Sequence, residues 1–143
     1  VNINALVESL CSDLADEGLP VSYQYDGSPI NLTCRPTEIR RCLQNIIDNA
    51  IKYADAAQVS ISTNNDYASI AIIDNGTGIP QEQLESVLRP FYRLEQSRND
   101  DTGGIGLGLS IAEAIVKSHG GTLTLTNHHS GGLKVEIQLP LNS

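Results

Sequence analysis

The stretch LKVEIQLP, residues 133–140, alternates apolar and polar positions without a break. Successive side chains of a strand point to opposite faces, so Leu133, Val135, Ile137 and Leu139 share one side of it. Such a strand buries one face only, and whatever covers the sheet must lie on that face. TLTLTN, at 122–127, pairs with it as a terminal hairpin. QVSIST and YASIAIID form a second strand pair around the turn Asn64-Asn65-Asp66, and VSYQY and INLTC are shorter strand candidates. Helical periodicity fills the intervals. In NINALVESLCSDLADEG, Leu6, Leu10 and Leu14 recur every fourth residue and Gly18 provides the stop. In PTEIRRCLQNIIDNAIKYA, Pro36 stands near the first turn, and Ile39, Leu43, Ile46, Ile47, Ala50 and Ile51 make a broad apolar face. QEQLESVL reads as a short helix, and LGLSIAEAIVKSHG as a helix ended by Gly120-Gly121. Regular β–α alternation, the mark of a doubly wound parallel sheet, is absent. The order predicts an α+β fold, a two-layer sandwich with helices on one face of a mixed, mostly antiparallel sheet. No linker or repeat divides the chain, so residues 1–143 are expected to form one domain.

Charge and composition narrow the partners. The net charge is −8 with only nine Lys and Arg, and they form no basic cluster, which counts against nucleic acid or an anionic membrane surface as partner. Cys11, Cys34 and Cys42 are odd in number and form no C-x-x-C pair, so a reduced, cytoplasmic setting is expected. His119, His128 and His129 lack zinc-ligand spacing with them. No apolar run approaches the ~20 residues of a membrane helix, and no signal-peptide pattern opens the chain.

Four stretches carry chemistry. On the helix over 36–53, Asn45, Asn49 and Lys52 lie at i, i+4 and i+7, a stripe expected roughly opposite the apolar face. It reads as a solvated face or as a ligand face. Asparagine is a poor helix-interior residue, amide oxygens are acceptable ligands for Mg²⁺, and lysine offers phosphate a point charge. In IAIIDNGTGIP an apolar strand runs into Asp74, followed by Gly76 and Gly78. This is good turn chemistry; it also suits a strand-end carboxylate that accepts a hydrogen bond from an exocyclic amine, with glycines letting backbone approach a flat ring. RPFYRLEQSRNDD places Arg89, Arg93 and Arg98 within ten residues, either a solubilising loop or a lid bringing guanidinium groups to phosphate. Phe91, the chain's one Phe, anchors it. DDTGGIGLGLS holds Gly103, Gly104, Gly106 and Gly108 ahead of a helix. No lysine follows, so it is not a P-loop, and no strand precedes, so it is not a dinucleotide fingerprint. A glycine loop at a helix N-terminus that binds anions remains, with cations supplied from elsewhere.

In this order and spacing, from about residue 2 to 141, these stretches resemble the catalytic ATP-binding domain of bacterial sensor histidine kinases, in the superfamily that includes gyrase, MutL and the heat-shock ATPase chaperones. NIIDNAIKY resembles the N box, DNGTGIP the first glycine box, RPFYR the F box and GGIGLGLSIA the second glycine box. The resemblance implies a Bergerat-type α/β sandwich with a flexible ATP lid over about 92–106. It implies ATP and Mg²⁺ as ligands, with Asn49 on the metal and Asn45 near the metal and phosphates. It places Lys52 on phosphate, Tyr53 against the nucleotide, Asp74 on the adenine amine, Gly76 and Gly78 around the base, and Gly104, Gly106 and Gly108 along the phosphates. Arg93 or Arg98 would reach the triphosphate.

It implies a kinase rather than an ATPase. Hydrolysing relatives carry a water-activating Glu one turn before the metal-binding Asn; here that position is Asn45, which is no base. The expected reaction is transfer of the γ-phosphoryl to a histidine on a separate dimerisation domain of a longer, homodimeric inner-membrane parent that signals to a response regulator. The fragment itself is expected to be monomeric. A regulatory nucleotide-binding module and a superfamily ATPase are the alternatives. Two positions depart from the family pattern. Ile105 offers backbone only where a small polar residue or Gln is common, and no acidic residue at Thr37 or Glu38 clearly matches the one near the start of the N-box helix.

Overall fold

The structure is a computed structural model that describes residues 1–25, 27–76, 108–127 and 132–141. Its elements run α1 (Ile3–Asp16), β1 (Val21–Gln24), α2 (Pro36–Tyr53), β2 (Ala57–Thr63), β3 (Tyr67–Asp74), α3 (Gly108–Ser118), β4 (Thr122–Asn127) and β5 (Leu133–Pro140). The short helix expected over 81–88 and the lid lie outside the described residues.

The strands form one sheet in the order β1-β2-β3-β5-β4. Only the β1–β2 pair is parallel; the other three are antiparallel. The register explains why one face is buried. Ile61, Ile70, Ile137 and Leu123 stand side by side across β2, β3, β5 and β4, and the next row is Val59, Ile72, Val135 and Leu125. All eight are buried. Because the side-chain period is two, these rows share one face, and a slip of one residue in any strand would turn its apolar set to water. The helices cover them: α1 packs on β1 and α2, α2 on β2 and β3, and α3 on α2, β4 and β5. The expected α+β sandwich with a mixed, mostly antiparallel sheet is what forms.

One expected strand does not join the sheet. INLTC makes an isolated bridge between Asn31 and Asn2. The Ile3 amide donates to the Ile30 carbonyl at 2.8 Å and the Leu32 amide to the Val1 carbonyl at 3.0 Å. Ile30 and Leu32 bury themselves in the core, but Pro29 and Pro36 bracket the segment, and a proline has no N–H for a ladder.

Local chemistry fixes the element ends. Asn2 caps α1 by accepting from the Ala5 amide at 3.0 Å. Asn64 closes the β2–β3 turn by accepting from the amides of Asp66 and Tyr67. His119 ties the end of α3 to the start of α2. Its Nε2 accepts from the Arg35 amide at 3.0 Å and its Nδ1 lies 2.8 Å from the Ile115 carbonyl, a pairing that requires the tautomer with hydrogen on Nδ1. Among the described residues no helix is long and apolar enough to cross a membrane.

The three cysteines are free thiols. Burial pushes the thiol of Cys11 up to about 11 and that of Cys42 to about 12; Cys34 is half-buried and raised less far, its burial offset in part by the N-terminal ammonium and Arg35. On α2, partial burial and the Glu17 carboxylate raise the Asp48 carboxyl above its usual range.

Two outcomes follow. Ile70 is fully buried between Ile61 and Ile137, so Ile70→Ala should cost roughly 3–4 kcal/mol, read as a lower urea midpoint at unchanged slope. For Asp48 the raised value means that the ionised form is disfavoured in the native state. Asp48→Asn should therefore raise the melting temperature at neutral pH, and the gain should fade as acid protonates the native carboxyl.

Candidate functional site

Asp74 ends β3 on the helix-covered face, two residues beyond Ile72, and is only 8% exposed. A carboxylate there needs donors, because an unpaired buried charge is costly. Oδ1 accepts from the Gly76 amide at 2.9 Å and from the Leu133 amide of β5 at 3.0 Å. Among the described residues Oδ2 has no hydrogen-bond partner, which leaves one carboxylate oxygen available to a ligand.

Gly132 makes this arrangement possible. Its φ is +89°, a left-handed conformation, and a Cβ there would stand 1.9 Å from the Asp74 carbonyl oxygen. Only glycine lets the β5 backbone approach closely enough for Leu133 to donate to the carboxylate. Nothing in the sequence singled out Gly132 from Gly131. The contact joins residues 59 apart in the chain.

The asparagine stripe occupies another wall. Asn45, Asn49 and Lys52 are half-buried on α2 rather than exposed opposite its apolar face. For Asn45 the cover is α3: a Cβ on Gly108, its first residue, would be 3.8 Å from the Asn45 carbonyl oxygen and 4.0 Å from Asn45 Cβ, ordinary van der Waals distances. Asn45 thus flanks the seam where the two helices pack. The amides of Asn45 and Asn49 make no side-chain hydrogen bond with a described residue, so both keep oxygen and nitrogen available. Lys52 lies in the last turn of α2.

The C-terminal turn of α2 is held beside Asp74 by the next residue, Asn75. Its Oδ1 accepts from the amides of Asp55 and Ala56, both at 2.9 Å. The second half of DNG is thus a clasp, a role that turn propensity alone did not reveal. The described chain leaves at Gly76, beside Asp74, and returns at Gly108, beside Asn45. The N-terminus of α3, the positive end of its dipole, thus lies beside Asn45.

Gly78, Arg93, Arg98, Gly104 and Gly106 lie outside the described residues, as does Ile105. Tyr53 is the last residue of α2, and its side chain also lies outside them. A groove lined by Thr37, Arg40, Arg41, Gln44, Asn45 and Asp48 runs along the outer side of α2 and shares only Asn45 with the site. No group of three or more His, Cys, Asp or Glu among the described residues is placed to hold a metal. Oxygen ligands for a hard cation would instead be the amides of Asn49 and Asn45, a neutral set suited to a metal that also carries phosphate charge.

Comparison with known proteins agrees with the fold. Residues 34–143 match the family described as histidine kinase-, DNA gyrase B-, and HSP90-like ATPase. The sensor histidine kinase GtrS of Pseudomonas aeruginosa is 34% identical over 145 residues, covering 98% of this chain and 28% of that protein. The sensor histidine kinase CpxA of Escherichia coli is 33% identical over 125 residues, covering 87% of this chain and 27% of that one. The chain thus spans under a third of these curated relatives. The ATP-binding domain of PrrB from Mycobacterium tuberculosis superimposes with a TM-score of 0.81 at 28% identity, over 100% of this chain and 96% of that one.

The close approach at Gly132 sets the prediction here. Gly132→Ala forces the β5 backbone away from Asp74 and strains a left-handed φ, at a cost of about 2 kcal/mol or more. In amide hydrogen exchange the Leu133 amide should lose protection well beyond that global loss.

Proposed function

Because the chain belongs to the histidine kinase-, DNA gyrase B-, and HSP90-like ATPase family, we propose that this site binds Mg-ATP and presents its γ-phosphoryl to a histidine on a separate dimerisation domain. The observation that carries the reading is Asp74: a nearly buried carboxylate with one oxygen held by two backbone amides and the other without a hydrogen-bond partner among the described residues. That oxygen suits the exocyclic amine of adenine, which donates; a guanine presents a carbonyl oxygen at the corresponding edge and would face the carboxylate with an acceptor.

The residues take roles by position. Asp74 fixes the base, with Gly76 and Gly78 beside its plane and Tyr53 against the nucleotide. Asn49, assisted by Asn45, supplies amide oxygens to Mg²⁺. A bound Mg²⁺ would neutralise phosphate charge, which offsets the repulsion that an incoming nucleophile meets. Lys52 adds a cation on the phosphate side, the α3 N-terminus and Gly104, Gly106 and Gly108 present amides to phosphate oxygens, and Arg93 or Arg98 contributes a guanidinium from the lid. The chain supplies no covalent nucleophile; such transfer rests on positioning and electrostatics. In the transfer the bond from the γ-phosphorus to the β,γ-bridging oxygen breaks, a P–N bond to the acceptor imidazole forms, and ADP leaves.

Asn45 also separates this reading from hydrolysis. It lies one turn before Asn49, where a water-activating carboxylate would be needed, and an amide accepts no proton at neutral pH. The parent is proposed as a homodimeric inner-membrane sensor whose phosphohistidine serves a response regulator, with residues 1–143 as its cytoplasmic ATP-binding domain.

Calorimetry on the chain with ATP and Mg²⁺ tests the reading. Binding should be saturable and selective for adenine over guanine nucleotides. Asp74→Asn should weaken it about tenfold or more, the loss of a charge-assisted hydrogen bond. Asn49→Ala should abolish the gain that Mg²⁺ brings, and inorganic phosphate should not accumulate. A folded chain that fails to bind ATP, or binds equally well with both substitutions, overturns it.

A further inference from the structure

The α2–β2 connection has an unusual means of support. Helix α2 ends without a glycine stop: its C-cap Ala54 is extended, with φ −150° and ψ 173°, and the Ala54 amide reaches the Ile51 carbonyl only at 3.5 Å. The next two amides, of Asp55 and Ala56, both donate to one atom, Asn75 Oδ1, at 2.9 Å each. The Asn75 amide donates back to the Ala56 carbonyl at 3.3 Å. Three hydrogen bonds thus join the turn after Lys52 and Tyr53 to the residue after Asp74. Lys52 and Asn49 stand on the phosphate and metal side of the proposed site, and Asp74 on the base side. Asn75 itself is exposed.

We propose that Asn75 is a positioning residue of the nucleotide site: its side-chain oxygen sets the distance between the base-binding carboxylate and the last turn of α2. The inference rests on the Mg-ATP reading. An acceptor on a short side chain is required to reach two adjacent amides, which asparagine and aspartate supply and alanine does not. Because the clasp is exposed, water replaces its hydrogen bonds when it is lost, and folding suffers little. A ligand that must touch both walls at once suffers more, since small misplacements of paired contacts are costly.

The test uses the 143-residue chain and the variants Asn75→Ala and Asn75→Asp, with calorimetry against Mg-ATP and against adenosine, which lacks phosphates. Circular dichroism and melting confirm that each variant is folded. Asn75→Ala should bind Mg-ATP about tenfold more weakly and adenosine within about twofold of the parent chain, the pattern of a lost register between two walls. Asn75→Asp, which keeps the acceptor, should recover Mg-ATP binding to within about threefold at high salt, where its added charge is screened. Unchanged Mg-ATP affinity in Asn75→Ala overturns the proposal. So does an equal loss for adenosine and ATP, or the absence of recovery in Asn75→Asp. If the parent chain itself does not bind Mg-ATP, the nucleotide reading fails first, and that result is distinguishable from all three.

Discussion

The hydrogen bond from the Leu133 amide to Asp74 Oδ1 is the point on which the site turns. It extends the β3–β5 pairing one step past the last apolar row, and it substitutes a carboxylate oxygen for a ladder carbonyl. The sheet thereby places a charge at the edge of a dry core without leaving it unpaired. Two conditions allow it. Gly132 must be small and left-handed so that the strand can approach, and Gly76 must turn its amide back toward the same oxygen. With both donors on Oδ1, the second oxygen is directed by the backbone rather than by a flexible neighbour. That is the kind of preorganisation that recognition of a single amine needs.

The core serves this arrangement by being rigid where the site is attached. The rows through Ile70 and Ile72 pin β3 between β2 and β5, and α2 packs directly on it. Asp74 inherits its orientation from a strand whose register cannot slip. The other wall inherits its position from the α2–α3 seam, where Gly108 lies against Asn45. Neither wall lies on the segment between Gly76 and Gly108.

The distribution of polar groups fits the proposed role, in which the chain positions a nucleotide rather than attacks it. The stripe on α2 offers amides and one ammonium, the strand end offers one carboxylate, and a turn of asparagine chemistry holds the two together. The buried thiols of Cys11 and Cys42, raised by desolvation, are packing groups and not nucleophiles. His119 is committed to backbone partners at the junction of α2 and α3, and its sequence neighbours are Ser118 and Gly120 rather than the adjacent acidic residue of a phosphoacceptor.

Much of this was legible in the chain before any fold was known. Strict alternation over 133–140 demanded a one-faced sheet, periodicity over 36–53 demanded a long amphipathic helix, and both depend only on where neighbouring side chains point. The asparagines were visible as polar residues in a helix interior that disfavours them, and Asp74 as a carboxylate at the end of an apolar strand. INLTC misled because its apolar alternation is real, but burial against the start of α1 satisfied it without a ladder. The half-burial of the stripe, the need for glycine at 132 and the clasp at Asn75 were not visible. Each depends on two backbones from distant parts of the chain coming within hydrogen-bonding or van der Waals distance. Pattern along a sequence reports which face is apolar; only tertiary packing decides which donor meets which acceptor.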